Sequence, residues 1–177
     1  MAWTASAIFQ QAMLNPIARA VNAGTAPTSF VSLTGDAVKV AVYGTAATPD
    51  KTAAVASTGY NTGQWVTGNE ITGTGWAAGG VAVGTTKTWT VDAGSSSLCY
   101  QVTAPTAGQT GPTAGVTLAA FFGCLVYDST ITGGTVASQG MCYNYFGGSQ
   151  TITAGNFTIL WATPGGAAIT AIFNIAV

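Results

Sequence analysis

Charge is almost missing from this sequence. Lysine, arginine, aspartate and glutamate together make up 5% of its 177 residues, against about 25% in an ordinary globular domain. Hydrophobic residues reach 48%. A chain of this kind lies in a membrane, aggregates, or buries its surface against partners. The apolar runs are too short for a spanning helix, which needs roughly 20 consecutive apolar residues. The best of them, 116–127, is interrupted by Thr117 and Gly123. The segment from Met1 to Gln11 has no basic residue and no apolar block of signal-peptide length. The strands read below are too few and too irregular for a membrane barrel built of alternating segments of about 10 residues. Five Trp, six Tyr and seven Phe do not belong to a disordered chain. What remains is a folded protein, with no membrane partner, whose wet surface is Thr, Ser, Gly, Asn and Gln. Copies of such a protein repel one another little, which suits a subunit of an assembly. The net charge of −1 removes the electrostatic basis for binding nucleic acid.

The length fits one domain, which buries roughly 70% of the surface its unfolded chain exposes. We divide it into an N-terminal helix and linker arm, residues 1–35, and a β domain, residues 36–177. In the arm, Thr4 caps a helix over 4–14, with Ile8, Phe9, Ala12 and Met13 on one stripe. Pro16 ends it at Asn15. A second turn runs from Ile17 to Asn22 and stops at Gly24. The stripe is too short to be stable alone, so this helix needs something to pack on. Period two begins at Val38, Val40 and Val42, alternating with Lys39, Ala41 and Tyr43 as in a half-buried strand. Thr48, Pro49 and Asp50 read as a turn. Further strands are expected at 81–83, 86–91, 98–103, 116–127, 141–146, 157–161 and 169–177. The first two form separate strands or a bulged hairpin. Residues 104–115, with Pro105, Gly108, Gly111, Pro112 and Gly115, form the clearest loop. The last strand pins the C-terminus. The expected fold class is mainly β, an antiparallel β-sandwich or jelly-roll-like barrel with a short N-terminal helix.

The chain contains no histidine, so the commonest general base and the commonest metal ligand are both missing. Its acids are Asp36, Asp50, Glu70, Asp92 and Asp128. A pair of carboxylates across a cleft can hydrolyse a glycoside, but four of these acids sit at turns or strand ends, where Asp has a structural use. Glu70 differs, lying between aromatic and glycine residues. Buried there, it needs hydrogen bonds or a cation, for which Lys39 and Lys51 are candidates. We read Trp65, Glu70 and Trp76 as organisers of this loop. The glycines at 73–75 open no expected helix and no lysine follows as in a phosphate loop, so nucleotide binding is rejected. Trp65, Trp76 and Trp89, with Tyr60, can stack on sugars or fill a core or interface, and the second use is the commoner. Asn156-Phe157-Thr158 matches a glycosylation sequon. The three cysteines, Cys99, Cys124 and Cys142, form no CxxC pair and are expected as buried free thiols, with a bridge between two of them as the alternative. No cofactor, metal or catalytic residue is expected.

One order of motifs runs through most of the chain. Lys39-Val40-Ala41-Val42-Tyr43 and Thr48-Pro49-Asp50 are followed by Gly63-Gln64-Trp65, Gly68-Asn69-Glu70 and Trp76-Ala77-Ala78-Gly79-Gly80. Then come Phe122-Gly123-Cys124-Leu125-Val126-Tyr127-Asp128, Cys142-Tyr143-Asn144-Tyr145-Phe146-Gly147-Gly148 and Phe157-Thr158-Ile159. Over residues 36–177 this resembles a group of small accessory virion proteins of tailed bacteriophages, particularly those of actinobacteria, of the head-decoration or minor capsid type. The resemblance implies a non-enzymatic structural role on the capsid exterior, with the major capsid protein as partner. A homotrimer is expected, with Trp3, Ile8, Phe9 and Met13 docking on a neighbour or on the shell. A tail tube or tip protein, or a glycan- or receptor-binding virion module, are the alternatives.

Overall fold

The structure is a computed structural model and describes residues 3–10, 35–84, 87–92, 97–102, 115–133, 136–159, 161 and 171–176. The fold is mainly β. Its strands are β1 (Ala7–Ile8), β2 (Val38–Tyr43), β3 (Val81–Ala82), β4 (Lys87–Asp92), β5 (Ser97–Val102), β6 (Val116–Asp128), β7 (Gly140–Gly155) and β8 (Ala171–Ala176). They form a five-stranded sheet in the order β1-β7-β6-β2-β3 and a three-stranded sheet in the order β4-β5-β8. Every strand pairing is antiparallel. The expected strands at 81–83 and 86–91 therefore belong to different sheets. Among the described residues of 157–161, the backbone shows only an isolated bridge at Thr158. No helix among the described residues is long and apolar enough to cross a membrane.

The alternation in β2 explains how the larger sheet is covered. Successive side chains point to opposite faces. Val38, Val40 and Val42 enter one core with Trp76, Leu118, Phe121, Cys124 and Val126. Tyr100 of β5 and Ile172 of β8 join the same core, so both sheets contribute to it. Ala41 and Tyr43 enter a second core, with Leu125, Tyr127 and Tyr143 of the neighbouring strands and with Trp3, Phe9 and Trp65 from outside the sheet. Antiparallel sheets commonly leave one face to water. Here the centre of the larger sheet is buried on both faces, the second being closed by irregular chain. That cover consists of residues 3–10 and the loop from Gly44 to Gly80. The loop holds short 3-10 turns at Val55–Ser57, Gly63–Trp65 and Thr67–Asn69.

Over residues 4–9 the N-terminal segment corrects the expectation of a helix over 4–14, while Gln10 has helical backbone. Ala7 and Ile8 pair with Tyr143 and Cys142 as a strand, and Phe9 N donates to Met141 O at 3.0 Å. Residues 11–14, with Met13, lie outside the described residues. Helical spacing alone did not decide this segment, because β7 offers main-chain partners and Trp65 and Tyr143 offer aromatic ones. The Phe9 ring meets Trp65 at 6.0 Å and Tyr143 at 5.5 Å. Gly123 makes room for Trp3. A Cβ at 123 would lie 2.4 Å from the Trp3 ring and 2.3 Å from Asn144 O.

The β6–β7 pair is long and irregular. Gly123 faces Tyr145, but Phe121 faces Gln150, so the chain from 146 to 149 bulges out of register. Gly147 takes φ +79°, which L side chains rarely adopt. The glycine pair 147–148 is thus a bulge inside a strand and not its end.

Candidate interaction surface

Three places gather polar or exposed aromatic groups. In the first, the chain after the 3-10 turns rejoins the edge of β2, where Glu70 bridges Tyr43 and Ile71 N donates to Val42 O at 2.9 Å. The Glu70 side chain is buried. Its Oε2 accepts a 2.8 Å bond from Tyr60 Oη, and both oxygens accept from Gly79 N at 3.0 and 3.1 Å. The Gly80 amide adds to these, and no lysine among the described residues bonds it. Tyr127 Oη donates to Gly79 O at 2.7 Å, and the Tyr60 and Tyr127 rings stack at 4.7 Å. Burial pushes the Glu70 carboxyl above its usual range, while the bonds from Gly79 and Tyr60 pull it back. Trp65 sits behind this network. Its carbonyl accepts from Tyr43 Oη at 2.7 Å and from Asn61 N at 3.0 Å. Gly80 passes so close to β2 that a Cβ there would lie 1.8 Å from Val40 O, and it holds φ +60°. The network ties a loop to a sheet edge and occupies the Glu70 carboxyl with hydrogen bonds.

In the second place, Asp36 and Asp128 meet at the end of the β2–β6 pair, both buried. Asp128 Oδ1 accepts from Thr130 N at 2.9 Å, and its carboxyl hydrogen-bonds that of Asp36. Burial, with the neighbouring Asp36 carboxyl, pushes Asp128 up to about 6. The Asp36 carboxyl adds to burial in disfavouring the charged form of Asp128. Asp50, by contrast, accepts from Thr52 N and Thr52 Oγ1 at 2.8 and 2.6 Å in an exposed turn, which holds it below its usual range.

The third place is a cleft of about 420 Å³ beside the β7 bulge. Phe121 of β6, Phe146 and Ile152 of β7, and Phe157 and Ile159 form its apolar lining. Gln150, Thr151, Asn156 and Thr158 form its exposed rim. Phe121 contacts Phe146 edge-on at 5.8 Å and Phe157 at 5.2 Å, and Phe157 rests on Trp76 at 4.8 Å. No lining residue carries an acid, a base or a thiol. Such a cleft can hold an apolar side chain, an amide or a hydroxyl. It has no group for proton transfer.

These positions place the sequence candidates. Trp3 and Phe9 are fully buried in their own chain and Ile8 is half-buried. The described part of the apolar stripe, Ile8 and Phe9, therefore packs within its own fold. Trp65 and Trp76 are buried, and of the stacking candidates Trp89 is the exposed one, at 36%. Cys124 and Cys142 are buried free thiols on adjacent strands; the side chain of Cys99 lies outside the described residues. The sequence reading missed the cleft, because Phe146 and Phe157 read as ordinary strand residues. The signal that marks it is the glycine pair at 147–148, which displaces Phe146 from the regular ladder. No group of His, Cys, Asp or Glu among the described residues could hold a metal ion. No protein-family model, curated protein or solved structure matches the chain.

Proposed function

We propose that this chain is a non-enzymatic structural subunit of a tailed-phage virion. On this reading it decorates the capsid exterior as a homotrimer and stiffens the shell by bridging neighbouring copies of the major capsid protein. The observation that carries the reading is where the shared motifs sit. Lys39–Tyr43 is all of β2 but its first residue, 122–128 is the C-terminal half of β6, and 142–148 lies in the first half of β7 and enters its bulge. Gly63–Trp65, Gly68–Glu70 and Trp76–Gly80 are the pieces of the covering loop that Tyr43, Tyr60 and Tyr127 tie down. The pattern resembling virion proteins therefore runs through the sheet and the loop that covers it, which supports a structural role. The exposed positions of the β6–β7 pair support the same role. Thr117, Ala119, Ala120, Ser149, Gln150, Thr151, Thr153 and Ala154 offer hydroxyls, an amide and small apolar groups without charge. A rigid subunit with such a surface binds repeated sites, and bridging several of them raises the resistance of a shell beyond what one contact supplies.

Cryo-electron microscopy of purified virions with symmetry averaging tests this. Density at repeated positions between capsomers on the outer shell is the expected result. Density confined to the tail would overturn the head role and move the protein to the tube or tip. With Trp3 and Phe9 inside the fold, contact with the shell falls to exposed residues of the sheets and not to those two rings.

A further inference from the structure

We propose that the outer edge of β7 over 150–155 is a self-association surface, on which the same strand of a second copy of this chain pairs antiparallel and covers the adjoining aromatic cleft. The first half of β7 lies between β6 and β1, which pairs at Cys142 and Tyr143. The second half pairs with β6 on one side, and among the described residues no strand lies along the other. An open edge presents a row of main-chain donors and acceptors whose best complement is another strand. Edges that stay single usually carry lysine, proline or a charge that blocks pairing. Gln150-Thr151-Ile152-Thr153-Ala154-Gly155 carries none of these; its irregularity is a register shift between Ile152 and Gly155, where Ala154 takes φ +47°, so Gln150 to Thr153 is the part that offers a partner strand a regular edge.

The charge pattern points to a second copy as the occupant. The edge and the rim of the cleft are uncharged, so a charged partner finds nothing to grip. The chain's net charge of −1 barely opposes the approach of another copy. Antiparallel pairing of a strand with itself is also the contact that two-fold symmetry generates, and it closes at two copies. A strand added there runs beside the cleft, because Gln150, Thr151 and Ile152 belong to both. It covers Phe146, Ile152 and Phe157, which are only half-buried. This supplies the apolar burial that a bare edge pair lacks. The contact is independent of the virion role. In a trimeric subunit it would join one trimer to the next.

The test is sedimentation velocity on the full chain over a wide concentration range, paired with hydrogen exchange at dilute and concentrated protein. The expected result is a reversible equilibrium between a species and its two-fold multiple. The amides of 150–155 should exchange more slowly in the concentrated sample. A Thr151→Lys/Thr153→Lys double variant should keep the wild-type far-UV circular dichroism while its association weakens by at least about tenfold. A single species at every concentration would overturn the proposal. So would an oligomer that persists unchanged in the double variant. Should that variant not fold, the wild-type exchange decides alone: equal rates at 150–155 in both samples refute the contact.

Discussion

Replacing Trp3 with alanine is the sharpest probe of how this fold is closed. Trp3 is 1% exposed, meets Trp65 at 5.9 Å and Tyr143 at 6.1 Å, and donates from Nε1 to Gly44 O at 2.9 Å. A buried Trp hides roughly 150–250 Å², worth about 4–6 kcal/mol at ~25 cal/mol per Å². The unfolded chain already shelters part of that area, which brings the loss on truncation to about 3–5 kcal/mol. The Gly44 carbonyl, left without its donor, adds about 1 kcal/mol. The expected total is about 4–6 kcal/mol. With an m-value of ~2 kcal/mol/M this lowers the urea midpoint by about 2–3 M. Far-UV circular dichroism is the signal to follow, since tryptophan fluorescence changes with the mutation itself. Trp89→Ala serves as the control. Trp89 is 36% exposed on an edge strand, and its removal should cost no more than about 1–2 kcal/mol. A Trp3→Ala loss below about 1 kcal/mol at unchanged m would refute the reasoning, and residues 3–10 would then be an appendage and not part of the core.

Other outcomes follow from single features. Asp128 is raised in the folded state from 3.8 to about 6, so its contribution to stability is full below the unfolded value and is lost as pH rises through about 6. Discounted for residual solvation, that loss is about 1–2 kcal/mol between acid and neutral pH. Denaturation midpoints should therefore fall over that range in the wild type and less in Asp128→Asn, which keeps a hydrogen bond to Asp36. Gly80→Ala must place a Cβ against Val40 O at a positive φ and should cost more than about 2 kcal/mol, whereas Gly68→Ala, with nothing within 4 Å of its Cβ, should cost less than about 1 kcal/mol by the same melt. Cys124, pushed up to about 12 by burial, and Cys142, raised in the same way, should resist a thiol reagent in a Cys99→Ser background until denaturant is added.

Local pattern made much of the larger sheet legible. Val38, Val40 and Val42 announced a strand and its buried face, and 116–127 matches β6 to within a residue. The other face was not legible. Lys39, Ala41 and Tyr43 read as the wet side of a half-buried strand, yet Ala41 and Tyr43 are fully buried. Nothing in an alternation says whether distant irregular chain will fold over a face. Glu70 was legible as an acid in need of partners, but those partners, Tyr60 and the Gly79 amide, depend on a loop path that spacing does not encode. Over 4–9 the helix expected at 4–14 gave way because a short window of apolar spacing is weaker evidence than an available sheet edge. Gly147 and Gly148 looked like the end of a strand because a glycine pair serves turns and bulges alike.

The double cover of the central strands also bears on how fast this protein can fold. β1 pairs with residues 142 and 143, and Trp3 packs on Trp65 and Tyr143. The beginning of the chain thus finds its place only after β7 has been made. Until then Trp3 and Phe9 have no sheet to rest on, and one face of β2 and β6 stays open. Loops this long must close before their contacts repay them, and that ordering puts antiparallel proteins of this type among the slower folders, in the millisecond-to-second range. A growing chain therefore exposes the Trp3 and Phe9 rings until β7 has been made.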